Sequence, residues 1–593
     1  MPLSEVPAPP DADLFDMTQR LRVKSAAPIP HTAGGPPPTR EVGTSDGFTV
    51  TDLQTFTRMP VTATLRSVTP HAYWYVDNNM QVELSALQQS TGVFENSTYA
   101  TDTRYFGDTI RGGYDGDPHL TVLITRFNGA AGYYSSPDEY PKVVHPYSNQ
   151  RVMLYINGAA LRPGTSSFNS VVAHELQHAI HWHADPNEES WINEGLSTMA
   201  EELNGFFSPS VRTFERVSDV QLTHWDEEPS SNGPHYAAAH LFLRYLANHF
   251  GGYERIKDLV AEPKDGIEGV DAFLEHQGYR ERFKDVFKGW VIANLNTGST
   301  DPRFKYDNLQ VRVQPSRRLG EGTPLTDQVR QYAARYTELR PSGEAATLSF
   351  KGSKTNRLIP TDAPSGHFLW WSNRGDAINS SMTREFDLSR INQATLRFQA
   401  WWDIEKGWDY AYVTVSADGG RSWDVLAGDH TSSENPLGNS YGPGYTGKSG
   451  GGDSPSWVQE KIDLSAYAGK KVLIRFEYVT DDAVNNDGFA VDDVEIPELS
   501  FKDDAEIDSG WDGKGFLRTN NLVLQDYQVQ AVEYRMTGDV EVQEMALDGD
   551  RHGHIDLCCF GSTLDHAVVA VAALAPATTE LASYQLSLEA RTR

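Results

Sequence analysis

The residues most able to do chemistry lie in Val171-Val-Ala-His174-Glu175-Leu-Gln-His178-Ala-Ile-His181 and its continuation to Glu202. His174 and His178 are four apart, so on a helix they project from one face, one turn apart. Two imidazoles at that spacing can hold a single zinc ion, and Glu175 beside them can act as general base. Chance places an HExxH pattern in a chain this long with a probability of roughly a few per cent, so the surrounding sequence has to decide. A catalytic zinc takes three protein ligands and keeps one position open for water. His181 shares the helix face but stands about 10 Å along the axis from His174, too far to close one tetrahedron. Asp185 falls one residue late for the third ligand of an HExxHxxGxxH/D pattern, and His181 stands where its glycine would bend the chain. Glu194 lies in Trp191-Ile-Asn-Glu194-Gly-Leu-Ser-Thr-Met-Ala-Glu201, on a second helix after a turn. A helix returning antiparallel beside the first can set that carboxylate opposite both imidazoles.

The elements around these residues follow from periodicity. Ser166 or Ser167 is a plausible N-cap for a helix from about Phe168 to His183, ended by Asp185-Pro186, with Val172, Leu176 and Ile180 as its buried stripe. Upstream, residues 48–53, 61–66 and 72–76 read as strands, 82–106 mainly as helix, and 120–125 and 152–157 as strands. The Gly-rich stretch 129–136 is either an edge strand for an extended peptide or a plain loop. Downstream, helices are expected at Trp191–Leu203, His235–His249, Tyr253–Ala261 and Arg280–Leu295. Residues 46–315 therefore read as one α+β domain. Before it, nine prolines in the first forty residues mark residues 1–45 as an extended arm, either a pro-segment or strap or a simple linker.

Beyond about Pro315 short strands between Gly, Asp and Asn clusters imply β-sandwiches. One unit covers 366–500. The flanks, 316–365 and 501–593, either form one sandwich around it or belong to consecutive modules. Ser416-Ala-Asp418-Gly-Gly420-Arg-Ser422-Trp423 is a hairpin device that argues no activity. Asp487, Asp492 and Asp493, in an Asp- and Asn-rich run, are candidate calcium ligands, against the plainer reading of solvated turns.

Composition removes several function classes. The 81 acidic against 51 basic residues give a net charge of −30, which repels nucleic acid and anionic membrane. No apolar run approaches a membrane span. Cys558 and Cys559 are the two cysteines, and as neighbours they form no framework of loop-closing bridges. The start lacks a basic and apolar leader, so secretion would require a signal already removed.

HELQH followed by WINEGLSTMAE resembles the glutamate-type zincins, with hyicolysin-type bacterial metalloproteases as the nearest likeness. That resemblance implies that His174, His178 and Glu194 bind zinc and that Glu175 is the catalytic base. The interval from His178 to Glu194 is short compared with several such families. Glu201, two turns after Glu194, is a candidate to orient a ligating histidine, or else a solvated surface residue. Gly233-Pro-His235-Tyr236 resembles the segment of glutamate-type aminopeptidases where a proline and then a tyrosine open a helix, although here His235 intervenes. Tyr236, with His235 second, is the candidate oxyanion donor, against an ordinary core tyrosine. Residues 366–500 resemble the MAM-like jelly rolls of immune inhibitor A-type secreted proteases, from which no catalytic residue is carried over.

The expectation is thus a multidomain protein: an α+β zincin-like metalloprotease domain followed by MAM-like and Ig-like β-sandwiches. It would act as a secreted zinc endopeptidase on protein or peptide substrates, with Ca2+ as a further ion and glycan or surface binding through the sandwiches. The rivals are a non-catalytic adhesin or glycan-binding protein on a zincin scaffold, and an aminopeptidase.

Overall fold

Branched and aromatic residues are frequent from Phe48 to Val76, alternating with polar ones in the first two strands, and this stretch folds as antiparallel strands. β1 (Ser45–Asp52) pairs with β2 (Thr57–Val68), which pairs with β3 (Ala72–Asp77). β4 (Leu120–Thr125) lies parallel to β3 and to β6 (Met153–Asn157). Both β4 and β6 are buried at every position, which explains their unbroken apolar character. β5 (Gly132–Tyr134) pairs antiparallel with β6 and forms one edge of the sheet, in the order β1-β2-β3-β4-β6-β5. The computed structural model describes residues 2–206, 211–226, 231–295 and 297–591.

The helices are α1 (Leu14–Thr18), α2 (Leu84–Val93), α3 (Tyr99–Phe106), α4 (Ser166–Ala184) and α5 (Ser190–Leu203), then α6 (Val211–Arg216), α7 (Gly233–His249), α8 (Ile256–Val260), α9 (Gly266–His276) and α10 (Phe283–Ala293). Neither α6 nor α9 was expected. α9 begins with two glycines in its first four residues, poor helix formers, yet Val270, Phe273 and Leu274 on one face are buried. The cap of α4 also differs from expectation: the Thr165 hydroxyl accepts the Phe168 N–H at 3.3 Å, one residue before the serines.

One apolar core joins the sheet to the helices through Trp74, Leu154, Val172, Leu176, Trp191 and Phe242. The same core takes in Val532, Val568 and Ala570 from strands near the C-terminus. The helical part therefore rests directly on a C-terminal sheet.

In the C-terminal half, strand Ala345–Gly352 pairs with His552–Cys558 on one side and Ala582–Ala590 on the other. A second sheet, Val540–Glu544, Tyr527–Arg535 and Leu564–Ala573, shares a core with it through Leu348, Val529, Val569 and Leu586. Between these pairings in sequence lies a larger sandwich of a seven-stranded and a five-stranded sheet, with Phe398, Trp402, Val413 and Phe476 inside.

The N-terminal stretch is anchored along this middle sandwich. Met17 and Leu21 pack among Tyr410, Tyr412 and Trp423. The Arg20 guanidinium forms a buried ion pair with Glu477. Arg22 donates to the carbonyl of Val144 at 2.7 Å in the helical part and to that of Ser440 at 2.6 Å in the sandwich. The stretch thus straps the two parts together.

Candidate metal centre

α4 carries His174 and His178 on one face, as a four-residue spacing requires. The chain turns at Asp185-Pro186 and returns as α5, which packs against both α4 and α7. Gly195 makes that approach possible: a Cβ there would lie 2.6 Å from Leu243 Cδ1 and 3.0 Å from the Ala239 backbone of α7. The residue before it, Glu194, is thereby brought to the imidazoles. Its Oε2 stands 3.2 Å from His174 Nε2 and 3.6 Å from His178 Nε2. Among the described residues, His174, His178 and Glu194 form one of two groups whose donor atoms could share a metal ion, all within 4.8 Å of one another.

These separations can be tested against zinc. Bonds of about 2.0–2.2 Å to imidazole nitrogen and carboxylate oxygen put neighbouring ligand atoms of a tetrahedron about 3.4 Å apart. The observed 3.2 and 3.6 Å straddle that value. The donor set fits the ion.

The remaining imidazole nitrogens are engaged, which fixes the rings with Nε2 facing Glu194. His174 Nδ1 lies 2.9 Å from Glu201 Oε1, and the other Glu201 oxygen accepts the Ser170 hydroxyl at 2.5 Å. His178 Nδ1 lies 2.8 Å from Asn193 Oδ1 and 3.1 Å from the Ser197 hydroxyl. Glu201 therefore lies where the sequence suggested a supporting residue. Asn193 and Ser197 were not singled out, though Asn193 directly precedes Glu194 and Ser197 lies one turn before Glu201.

The electrostatics follow from this packing. Burial works against the charge on His174, but hydrogen bonds to Glu194 and Glu201 outweigh it and hold its pKa well above the ordinary value. His178 is likewise raised, burial being overcome by Glu194. Glu194 is buried too, yet the two histidines pull its carboxyl well below the usual carboxylate range. Glu175 is raised by burial, partly countered by the same histidines.

Glu175 lies under the edge strand. A Cβ at Gly132 of β5 would fall 2.9 Å from Glu175 Oε1 and 2.5 Å from Val171 Cγ1, so only glycine lets the strand cross the helix here. The Tyr134 N–H donates to the Glu175 carboxylate. Tyr236, in the first turn of α7, has its ring 6.3 Å from that of His174 and hydrogen-bonds Glu194. Burial and the carboxylates of Glu194 and Glu175 push its pKa well above the ordinary value, so it stays a phenol that can donate.

Other sequence candidates lie elsewhere. His235 faces away toward Asp226, 3.6 Å off, and packs against Trp225; burial lowers its pKa to about 4. His181 is buried, its pKa pushed down to about 3, and Asp185 caps the end of α4. Asp487, Asp492 and Asp493 are not brought together. Asp487 pairs with Arg374 at 2.9 Å, Asp492 is buried within its strand, and Asp493 pairs with Lys502 at 3.4 Å. Five residues of extended strand separate the first two by about 16 Å. The second group of potential ligands among the described residues is instead Glu405, Asp409 and Asp481.

Residues 334–521 match the model of the immune inhibitor A-like MAM domain. The chain is 34% identical to pre-pro-metalloprotease PrtV of Vibrio cholerae over 205 residues, 34% of this chain and 20% of PrtV. It is 25% identical to immune inhibitor A of Bacillus thuringiensis over 291 residues, 44% of this chain and 39% of that protein. A shorter stretch of 105 residues is 31% identical to bacillopeptidase F of Bacillus subtilis, covering 18% of this chain and 6% of that protein. The chain spans well under half the length of each of these curated relatives. It carries an immune inhibitor A-like MAM domain and is homologous to pre-pro-metalloprotease PrtV and to immune inhibitor A.

Proposed function

We propose that the chain is a secreted zinc endopeptidase whose zincin-like catalytic domain spans residues 46–315. The observation that carries this reading is the tetrahedral-edge spacing of His174, His178 and Glu194, with Glu175 buried beside them under an edge strand. The likeness to a pre-pro-metalloprotease supports both the metal and export.

Bound zinc would polarise a water and a peptide carbonyl, bringing the water's pKa toward ~7. The chain's own residues supply the rest. β5 forms an edge of the sheet, beside which an extended peptide can add as a further strand, although its Tyr134 N–H is already engaged by Glu175. Glu175 takes the proton of the attacking water on its carboxylate and passes it to the leaving nitrogen. Its burial raises its proton affinity, as that double role requires. Tyr236 donates its phenolic hydrogen bond to the oxygen on which charge develops. Glu201 and Asn193 hold the two imidazoles in the tautomer that leaves Nε2 free as a ligand.

The test is hydrolysis of unfolded casein by the zinc-loaded chain, with and without chelator. Cleavage within the polypeptide, lost on chelation and in Glu175→Gln, is the expected result. Release of single N-terminal residues would favour an aminopeptidase. No cleavage by the wild type, or equal cleavage by Glu175→Gln, would leave a non-catalytic binding protein.

A further inference from the structure

Where the N-terminal strap, the helical part and the middle sandwich meet, they enclose an open cavity of about 280 Å³. Two connections place it on the flank of the metal centre. Trp182, one of its walls, lies one helical turn beyond His178 on the same face of α4. Ser136, another wall, follows Tyr134 of β5 by two residues and donates its hydroxyl to Asp482 of the sandwich. Asp482 is near enough to His178 for the two charges to interact. A peptide lying along β5 would therefore pass the mouth of this cavity.

Its chemistry is one-sided. Three acidic side chains line it, those of Asp11, Asp481 and Asp482, burial raising the pKa of the last two so that a cation beside them would favour their charged form, and among the described residues no lysine or arginine lines it. The one histidine in the wall, His145, is neutral: burial, with Arg58 nearby, pushes its pKa down to about 3. Arg22, which does not line the cavity, stacks on the ring of a wall residue, Tyr441, at 4.4 Å and donates to the carbonyls of Val144 and Ser440. The rest of the wall mixes aliphatic and small residues with aromatic rings, Tyr140, Trp182, Trp408 and Tyr441 among them.

Aromatic walls with acids and no cation match a side chain that has a long apolar stem and a positive tip. The stem lies against ring faces, the tip meets the carboxylates, and both gain from exclusion of water. A phenylalanine or leucine would fill the space but leave half-buried carboxylates without a counter-charge. The volume is at the small end for ligand sites, suited to one side chain.

We propose that this cavity is a specificity subsite that takes the lysine or arginine side chain of a substrate residue close to the scissile bond. It rests on reading the metal centre as a peptidase site. It assigns substrate selection jointly to the catalytic part, the strap and the MAM region, the last through Asp482.

The test uses the full, zinc-loaded chain and internally quenched peptides differing at single positions on either side of the cleaved bond. Each position carries lysine, its uncharged isostere norleucine, or phenylalanine. At one position, kcat/KM for lysine should exceed that for norleucine about tenfold. In Asp482→Asn that ratio should fall toward one. Zinc content of the variant reports that it is folded, and the wild-type ratios decide the matter even if it is not. Cleavage of all peptides with a lysine-to-norleucine ratio near one at every position overturns the subsite while leaving the peptidase reading intact. So does a preference for phenylalanine. If the wild type cleaves none of them, nor casein, the peptidase reading fails and the subsite with it.

Discussion

Asp376, in the middle sandwich, accepts hydrogen bonds from both the backbone N–H and the hydroxyl of Ser190, at 2.8 and 2.6 Å. Ser190 is the first residue of the helix that carries Glu194, and the local N-cap, Glu189, makes no side-chain capping bond. A distant part of the chain thus caps the helix that completes the candidate metal centre. Asp376→Ala should cost about 1 kcal/mol of stability and weaken zinc binding about fivefold. Denaturant unfolding and competitive zinc titration measure the two effects. Lost stability with wild-type zinc affinity would reduce Asp376 to a purely structural cap.

The contact between Glu201 and His174 Nδ1 predicts a larger effect. Glu201→Ala should lower zinc affinity by roughly 10–100-fold, because the ring loses the group that orients it. Glu201→Gln, which keeps an acceptor, should recover part of that loss. Identical affinities for the two variants would argue against the positioning role.

Glu175 touches the centre without belonging to its donor set. Glu175→Gln should therefore keep a full complement of zinc while kcat falls about 10²–10⁴-fold. Metal analysis alongside the casein assay separates these outcomes, and loss of zinc in the variant would falsify the division of labour.

The raised pKa values of His174 and His178 set the pH behaviour of metal loading. Without metal, these imidazoles keep their protons above the ordinary histidine value of about 6.5, whereas ligation needs them neutral. Zinc binding at neutral pH should release protons, and affinity should fall as pH drops, starting above 6.5. In the metal-free chain, their pairing with Glu194 stabilises fully below the unfolded histidine value and is lost as pH rises through the folded one. Calorimetry in buffers of different ionisation enthalpy reads the proton release directly. A zinc affinity independent of pH between about 6 and 8 would contradict the assignment.

Arg20 and Glu477 form an ion pair in which both side chains are nearly or fully inaccessible. Removing one partner strands a buried charge, so Arg20→Met should cost about 3–5 kcal/mol. The double variant Arg20→Met/Glu477→Leu should recover much of it. Equilibrium unfolding checks both, and a single variant as stable as wild type would show that the strap contributes nothing there.

By itself the sequence determined what depends on near neighbours. The spacing of His174 and His178 puts them on one helical face because 3.6 residues make a turn. The alternation of apolar and polar residues in β1 and β2 is equally local, because successive side chains of a strand point to opposite faces. α9 was hidden because its glycines weaken the local signal and only tertiary burial of Val270 and Phe273 compensates. Tertiary structure alone decided which distant groups meet. Acids close in sequence, Asp487 and Asp492, are carried apart by an extended strand, whereas Asp409 and Asp481, 72 residues apart, are brought together. Ala345–Gly352 finds its partners only beyond the whole middle sandwich. Likewise Glu194 reaches the imidazoles through Gly195 packing on α7, and Asp376 reaches Ser190 from another sheet system. Such contacts are set by burial and packing across the folded chain, and no window of local residues encodes them.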